Sequence, residues 1–132
     1  MIQILKKQKK VLTLSVGQHA YNLISKEGLQ AYHVDTIPGA TGGPKGIGIP
    51  GLDQAIFGQF LPQSQQRRTL IGSSIGSWCF ASILASGAKD GTEKLAHLCT
   101  NLYFTKKMSH QEVSNICFEM LMNSFVEKTQ YC

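Results

Sequence analysis

The 132-residue sequence lacks an apolar run long enough to cross a bilayer, and it contains no internal repeat and no low-complexity segment. A membrane-spanning helix needs about 20 consecutive apolar residues, so we expect none here. The apolar fraction of 42% is typical of a globular chain and argues against a disordered one. We therefore predict a single domain over residues 1–132.

Cysteine patterns for metal binding are also missing. The four cysteines include no CxxC pair, and no Cys/His pair has the spacing of metal ligands. These cysteines are Cys79, Cys99, Cys117 and Cys132. We expect reduced, buried thiols in a cytoplasmic protein, with no disulfide, no metal and no cofactor.

Positive charge is concentrated near the N-terminus, where four lysines contribute to the formal net charge of +5. The run consists of Lys6, Lys7, Lys9 and Lys10. Such a run is most often solvated, and peripheral contact with an anionic membrane surface is the alternative that we keep open. We do not expect nucleic-acid binding. The apolar stretch at 11–17 is short for a signal peptide and is interrupted by Thr and Ser, so it favours a first strand.

Strands and helices alternate along the first two thirds of the chain. The predicted strands cover residues 10–16, 32–37 and 68–71. The predicted helices cover residues 18–27, 45–61 (kinked near Pro50 and ended by Pro62), 74–86 and 92–104. A last helix with an apolar stripe begins at a capping box formed by Ser109 and Glu112. This order indicates an α/β fold with crossover connections, in which ligands bind beyond the carboxyl ends of the strands.

The most informative motif is Gly72-Ser73-Ser74-Ile75-Gly76, which matches the G-x-S-x-G pattern of a nucleophile elbow. A β-type run precedes it, and an apolar helical stretch follows it. A serine hydroxyl becomes a nucleophile when it is exposed, positioned and relieved of its proton, and a strand-turn-helix elbow provides the first two conditions. Ser74 is therefore the candidate catalytic nucleophile. The alternative is a tight turn whose serine only caps the helix.

A second glycine-rich segment covers residues 39–46, directly after a predicted strand. Consecutive glycines can turn backbone N–H groups towards one point, which is what a developing oxyanion requires. Pro44 has no N–H, so the candidate oxyanion-hole donors are Gly42, Gly43 and Lys45. The segment fails as a P-loop because Pro44 stands where that motif has a glycine. The literal G-x-G-x-x-G at 46–51 follows no strand, so dinucleotide binding is not favoured.

The Gly-Gly-x-Lys-Gly loop at 42–46, followed by the elbow at 72–76, resembles the patatin-like phospholipases, and the likeness extends over residues 39–84. The resemblance implies a three-layer α/β sandwich with a mainly parallel sheet. It implies lipid acyl hydrolysis by a Ser–Asp dyad without metal, with Ser74 as nucleophile and Gly42 and Gly43 lining the oxyanion hole. The chain departs from the family's commoner pattern at Ala40 and Thr41, where an acidic residue and a further glycine are usual.

The sequence contains no residue that we identify as the general base for Ser74. The dyad aspartate of the family belongs to an Asp-Gly-Gly or Asp-Gly-Ala motif far downstream of the serine. Asp90-Gly91, the one Asp-Gly pair, is interpreted as a turn after the nucleophile helix. Asp35 could approach the active edge, whereas Asp53 is interpreted as a helix cap. His97 and His110 are interpreted as ordinary helical residues.

We therefore expect an incomplete patatin-like domain that holds the nucleophile and the oxyanion loop and lacks the aspartate. Its sheet would keep an open edge, which favours association. The alternative is a non-catalytic α/β binding module whose glycine-rich loops hold a phosphate or an acyl group at helix N-termini.

Overall fold

The structure, a computed structural model, describes residues 13–125 of the chain. The backbone divides into two compact units, and the division falls between Gln30 and Ala31. The N-terminal lysine run lies outside the described residues.

The first unit contains α1, Gln18–Glu27, which ends where the sequence predicts. Gly28 follows with φ 77°, and its N–H donates to the Ile24 carbonyl at 2.8 Å. Residues 13–16 are exposed and form no strand, so the strand predicted at 10–16 is wrong for them; residues 10–12 lie outside the described range. A strand needs a neighbour for its backbone hydrogen bonds, and no described strand pairs with this segment.

The second unit contains the two described strands and four helices. The strands are β1 (Thr36–Gly39) and β2 (Thr69–Gly72). The helices are α2 (Pro50–Ala55), α3 (Ile75–Ser86), α4 (Ala88–Thr100) and α5 (His110–Phe125). Three 3-10 turns at Ala31–His33, Gly43–Gly48 and Leu61–Gln63, and one π-helical turn at Ile56–Phe60, complete the unit. The helical segment predicted at 45–61 is thus a series of short helical pieces, broken at Ile49 next to Pro50.

The two strands pair in parallel, with Gly39 opposite Gly72 at their carboxyl ends. The prediction of an α/β fold with crossover connections is confirmed at this level. Because the strands are parallel, the chain leaves both of them at the same edge, and both glycine-rich segments begin there.

Strand β1 begins four residues later than the sequence predicts, because the backbone carbonyls before the strand accept hydrogen bonds from an arginine. The Arg68 guanidinium donates to the Ala31 and Val34 carbonyls, each at 3.0 Å. With these carbonyls bonded to a side chain, residues 31–33 form a 3-10 turn and the strand begins at Thr36.

Helix α3 occupies the centre of the second unit and contacts both strands, α4 and α5. Its first residue, Ile75, forms the core together with Leu95 of α4 and Met120 of α5. A helix that is covered on several sides is apolar nearly all round, as the sequence of α3 is. The residue that follows the elbow serine is therefore fixed in the core.

Helix α4 begins directly after Gly87 rather than at residue 92, so Asp90-Gly91 belongs to its first turns and is not a turn between helices. Gly91 is buried, and a Cβ added there would collide with the Ser82 carbonyl. The glycine thus permits a close crossing of α3 and α4.

The capping box at the start of α5 is confirmed. The Ser109 N–H and hydroxyl donate to Glu112 Oε2 at 2.7 and 2.8 Å, and the Glu112 N–H donates to Ser109 Oγ at 3.3 Å.

Cys79, Cys99 and Cys117 are free and half-buried. Within residues 13–125 no cluster of three or more His, Cys, Asp or Glu side chains could hold a metal ion. No helix in this range has the length and apolar character needed to cross a membrane.

Candidate active site

Ser74 has a backbone conformation that serine rarely adopts. Its φ of 55° and ψ of −125° make it the one non-glycine residue with positive φ in the described part of the chain. Such a conformation costs about 1–3 kcal/mol, and residues held in this way cluster at functional sites. Ser74 is exposed, and its side chain forms no cap hydrogen bond with α3. The helix-cap interpretation of this serine is therefore not supported.

The two glycines of the motif are required by close backbone contacts. A Cβ at Gly72 would lie 2.6 Å from the backbone N and Cα of Ser77. A Cβ at Gly76 would collide with the carbonyl of Gly39 at the end of β1. The spacing of the motif thus lets β2 turn sharply into α3 while α3 begins against β1.

The glycine-rich loop, residues 39–46, is held against the start of α3 at both ends. At one end Gly39 approaches Gly76, and at the other a Cβ on Gly46 would lie 2.9 Å from the Ile75 side chain. Between these points the Thr41 hydroxyl donates to Ser73 Oγ at 2.9 Å. The loop and the elbow, which are distant in sequence, form one assembly.

The glycine-rich loop and Ser74 border one cleft, and the hydrogen bonds of the loop show which of its backbone donors have an acceptor. Gly43 has φ 54° and lines the same cleft as the serine. Within the described residues neither the Gly42 N–H nor the Gly43 N–H has an acceptor. The Lys45 N–H, by contrast, donates to the Gly42 carbonyl at 3.3 Å. Of the three donors predicted from the sequence, this bond leaves Gly42 and Gly43 available within the described residues.

One further donor was missed from the sequence, the N–H of Ile75. It belongs to the first residue of α3, and no acceptor for it lies among the described residues. The first N–H groups of a helix have no partner within the helix. The elbow motif itself is the signal that could have found this donor, since the residue after the nucleophile commonly contributes to the oxyanion hole.

An apolar cleft of about 380 Å³ opens beside Ser74, within the range of small-molecule sites. Its walls come from the glycine-rich loop, α3, α4, α5 and the α4–α5 loop. They are formed by Gly43, Ile47, Ser74, Ile75, Trp78, Cys99, Leu102, Phe104, Val113 and Cys117. No charged side chain is among them.

The Cys99 thiol of the cleft wall is uncharged near neutral pH, in keeping with the apolar character of the wall. Burial raises the pKa of the Cys99 thiol, and the neighbouring Cys117 raises it further. A thiol with a raised pKa stays protonated and uncharged near neutral pH. This part of the wall is therefore an apolar surface rather than a second nucleophile.

None of the three aspartates of the chain lines the cleft. Asp35 precedes β1, so it lies at the amino end of the strand and about 13 Å from the active edge at the usual rise per residue. The expectation that it approaches that edge is wrong. Its carboxylate accepts a hydrogen bond from Gln66 at 3.3 Å.

Asp53 and Asp90 have other positions. Asp53 lies within the first turn of α2 and makes no cap hydrogen bond, so its interpretation as a helix cap is wrong. It borders a neighbouring cavity with Gly46 and Cys79, and burial raises its pKa. Asp90 is exposed in the first turn of α4, and the next residue, Gly91, lies against Ser82, about 12 Å along α3 from Ser74 at 1.5 Å per helical residue.

The two histidines after the serine are ordinary surface residues. His97 is exposed on α4, where its ring Nε2 lies 3.3 Å from Asn101 Nδ2. His110 is exposed at the start of α5. Neither lines the cleft.

Comparison with known proteins returns no relative. We find no match to this chain among protein-family models, curated proteins or solved structures. The elbow, its donors and the cleft are therefore the basis of the functional proposal.

Proposed function

We propose that this chain carries the nucleophile and the oxyanion loop of a serine lipid acyl hydrolase, of the phospholipase or esterase type found in patatin-like proteins. The observation that carries the proposal is the strained backbone of Ser74 between β2 and α3. In a nucleophile elbow, one exposed serine has a strained backbone and stands between two glycines. Here the close backbone contacts at Gly72 and Gly76 leave no room for a side chain.

The reaction begins when Ser74 Oγ attacks the carbonyl carbon of an ester. The carbonyl oxygen becomes an oxyanion, which the N–H groups of Gly42, Gly43 and Ile75 stabilise. Each well-aligned donor of this kind contributes roughly 3–4 kcal/mol. The C–O bond then breaks, the leaving alkoxide takes up a proton in place of the one that Ser74 Oγ lost, and water hydrolyses the acyl-serine to release the acid.

The cleft beside Ser74 supplies the acyl specificity. Its apolar wall excludes charged acyl groups, because their desolvation would not be compensated. A flexible hydrocarbon chain gains about 0.8 kcal/mol for each methylene that it buries. The ester substrate is therefore one with an extended aliphatic acyl chain.

The mechanism also needs a base that accepts the proton of Ser74 Oγ. A Ser–Asp dyad needs a carboxylate within reach of Oγ, and none of Asp35, Asp53 and Asp90 lines the cleft beside Ser74. Ser74 therefore has no identified dyad partner among the residues that line the cleft. Serine hydrolases that have lost a triad member keep roughly 10³–10⁴-fold acceleration over water from the oxyanion hole and binding. The chain alone is therefore expected to show slow, Ser74-dependent turnover.

Hydrolysis of p-nitrophenyl esters of increasing acyl length tests this function. The wild-type chain is expected to cleave longer esters slowly, faster when imidazole or formate is added as an external base. Ser74→Ala should abolish the enzymatic component at every acyl length. Equal rates for the wild type and Ser74→Ala, with both shown to be folded, would reject the proposal.

A second candidate is a non-catalytic acyl-binding module, favoured by the lack of any carboxylate or imidazole in the cleft wall as described. The single tryptophan, Trp78, lies in that wall and reports ligand binding by its fluorescence. Saturable quenching by a brominated fatty acid, without turnover even when an external base is present, would favour this module over the hydrolase.

A further inference from the structure

The loop between α4 and α5 exposes two aromatic side chains beside the cleft. Tyr103 is 77% exposed and Phe104 is 45% exposed. Phe104 also lines the cleft that contains Ser74, so this loop forms part of its rim. Contiguous exposed apolar surface that is rimmed by polar residues is typical of sites that bind proteins or membranes.

Two lysines occupy the tip of the same loop. The Met108 N–H donates to the Thr105 carbonyl at 3.2 Å, and the Thr105 N–H donates to Met108 Sδ at 3.4 Å. These bonds close a four-residue turn with Lys106 and Lys107 at its two central positions, both exposed. Within the described residues neither ammonium group has an ion-pair partner.

The lysines are close to the rim of the cleft. Lys106 follows Phe104 by two residues, so their Cα atoms are separated by at most about 7 Å. A third exposed lysine, Lys45, lies between Gly43 and Ile47, which both line the cleft. Positive charge therefore borders the cleft from two separate loops.

We propose that residues 101–109, together with Lys45, form a docking surface for a lipid membrane that carries anionic headgroups. Lysines are attracted to the negative surface potential of such a membrane. Aromatic side chains settle at the boundary between headgroups and acyl chains, where a ring and a hydroxyl such as those of Tyr103 are both satisfied. Docking in this orientation turns the apolar cleft towards the acyl chains. The surface does not depend on the chemistry proposed for Ser74.

A single-stranded nucleic acid also binds lysines and aromatic rings, but it needs a polar groove that follows its backbone. Here the aromatic residues adjoin an apolar cleft instead. The membrane is therefore the occupant that fits the surface.

Co-sedimentation with vesicles tests the surface, using the full chain with Ser74→Ala so that no lipid is hydrolysed. One set of vesicles contains phosphatidylcholine alone, and the other contains phosphatidylcholine mixed with phosphatidylglycerol. The pair Lys106→Glu and Lys107→Glu should lower partitioning onto the anionic vesicles by at least about tenfold, since each lysine contributes roughly fivefold. The pair Tyr103→Ser and Phe104→Ser should lower partitioning onto both.

The matched control reverses two exposed lysines elsewhere, Lys26→Glu and Lys89→Glu, and changes the net charge equally. An equal loss in this control would show that overall charge drives binding, and it would overturn the proposal. Each variant is also tested with Lys6, Lys7, Lys9 and Lys10 replaced by Gln, so that the N-terminal lysines cannot mask the loop. No effect of the loop variants in that background, or tighter binding to an oligothymidine than to anionic vesicles, would overturn it as well.

Discussion

The hydroxyl of Thr41 donates a 2.9 Å hydrogen bond to Ser73 Oγ, across 32 positions of sequence. In the described part of the chain no other side-chain hydrogen bond joins the glycine-rich loop to the elbow. A glycine at position 41 could not form this bond. Thr41 thus gives the loop a polar link to the residue before Ser74.

Thr41→Val removes this hydroxyl at nearly constant volume and should slow the reaction of Ser74 with a fluorophosphonate. Small misplacements of catalytic groups are costly, up to about 10²-fold for 1 Å, so we expect roughly a tenfold decrease in the second-order rate constant. Thr41→Ser retains the hydroxyl and should react like the wild type. If Thr41→Val also labels at the wild-type rate, the hydrogen bond has no positioning role.

Gly76→Ala should destabilise the fold, because its Cβ would collide with the Gly39 carbonyl. Overpacking of this kind costs about 1–3 kcal/mol, measured as the free energy of unfolding in urea. Gly51→Ala is the matched control, since nothing lies within 4 Å of its added Cβ and it is exposed in α2. Alanine is preferred over glycine in a helix by about 1 kcal/mol, so the control should be neutral or stabilising. Equal effects of the two variants would contradict the close contact.

Val113→Phe should shorten the cleft, because Val113 contributes to its wall from α5. We expect the affinity for a long-chain fatty acid, measured by Trp78 fluorescence, to fall by about tenfold, which corresponds to about 1.4 kcal/mol. The affinity for octanoate should change little. Val16→Phe, at an exposed position in the first unit, is the control for the added phenyl group. Equal losses for both chain lengths would show that the acyl chain does not extend along α5.

Glu112 should make the stability of α5 depend on pH. Hydrogen bonds from the backbone N–H and the hydroxyl of Ser109 lower the pKa of Glu112 below its ordinary value of 4.5. A folded-state pKa below the unfolded one stabilises the fold above the unfolded pKa, and this contribution is lost as the pH falls through the folded pKa. The difference in unfolding free energy between the wild type and Glu112→Gln should therefore be largest at neutral pH and shrink in acid.

Ser109→Ala removes the hydroxyl that donates to that carboxylate, keeps the backbone N–H donor, and should itself cost about 1 kcal/mol at neutral pH. In this background Glu112→Gln should have a smaller effect at neutral pH. A difference between wild type and Glu112→Gln that grows in acid would contradict the assignment.

The elbow could be predicted from sequence because its determinants are local. Gly72, Ser74 and Gly76 act through the turn between one strand and the next helix, and a five-residue pattern records that geometry. The capping box of Ser109 and Glu112 is local in the same sense.

The cleft and the start of β1 could not be predicted in this way, because tertiary contacts decide them. The cleft wall combines Trp78, Cys99 and Val113 from three helices, and no single segment shows that they meet. The displaced start of β1 depends on Arg68, which bonds to carbonyls more than thirty residues away. The sequence predicts a turn at Gly91 because a helix crossing leaves no local pattern.

The most direct test of Ser74 as a nucleophile is a fluorophosphonate reaction followed by peptide mass spectrometry, with and without added imidazole. The account predicts an adduct on the peptide that contains Ser74, formed faster when imidazole is present. Ser74→Ala should eliminate this adduct, and Ser86→Ala, at the far end of α3, should leave it unchanged. A folded chain that forms no adduct even with imidazole, or forms it on another serine, would contradict the assignment of Ser74 as the nucleophile.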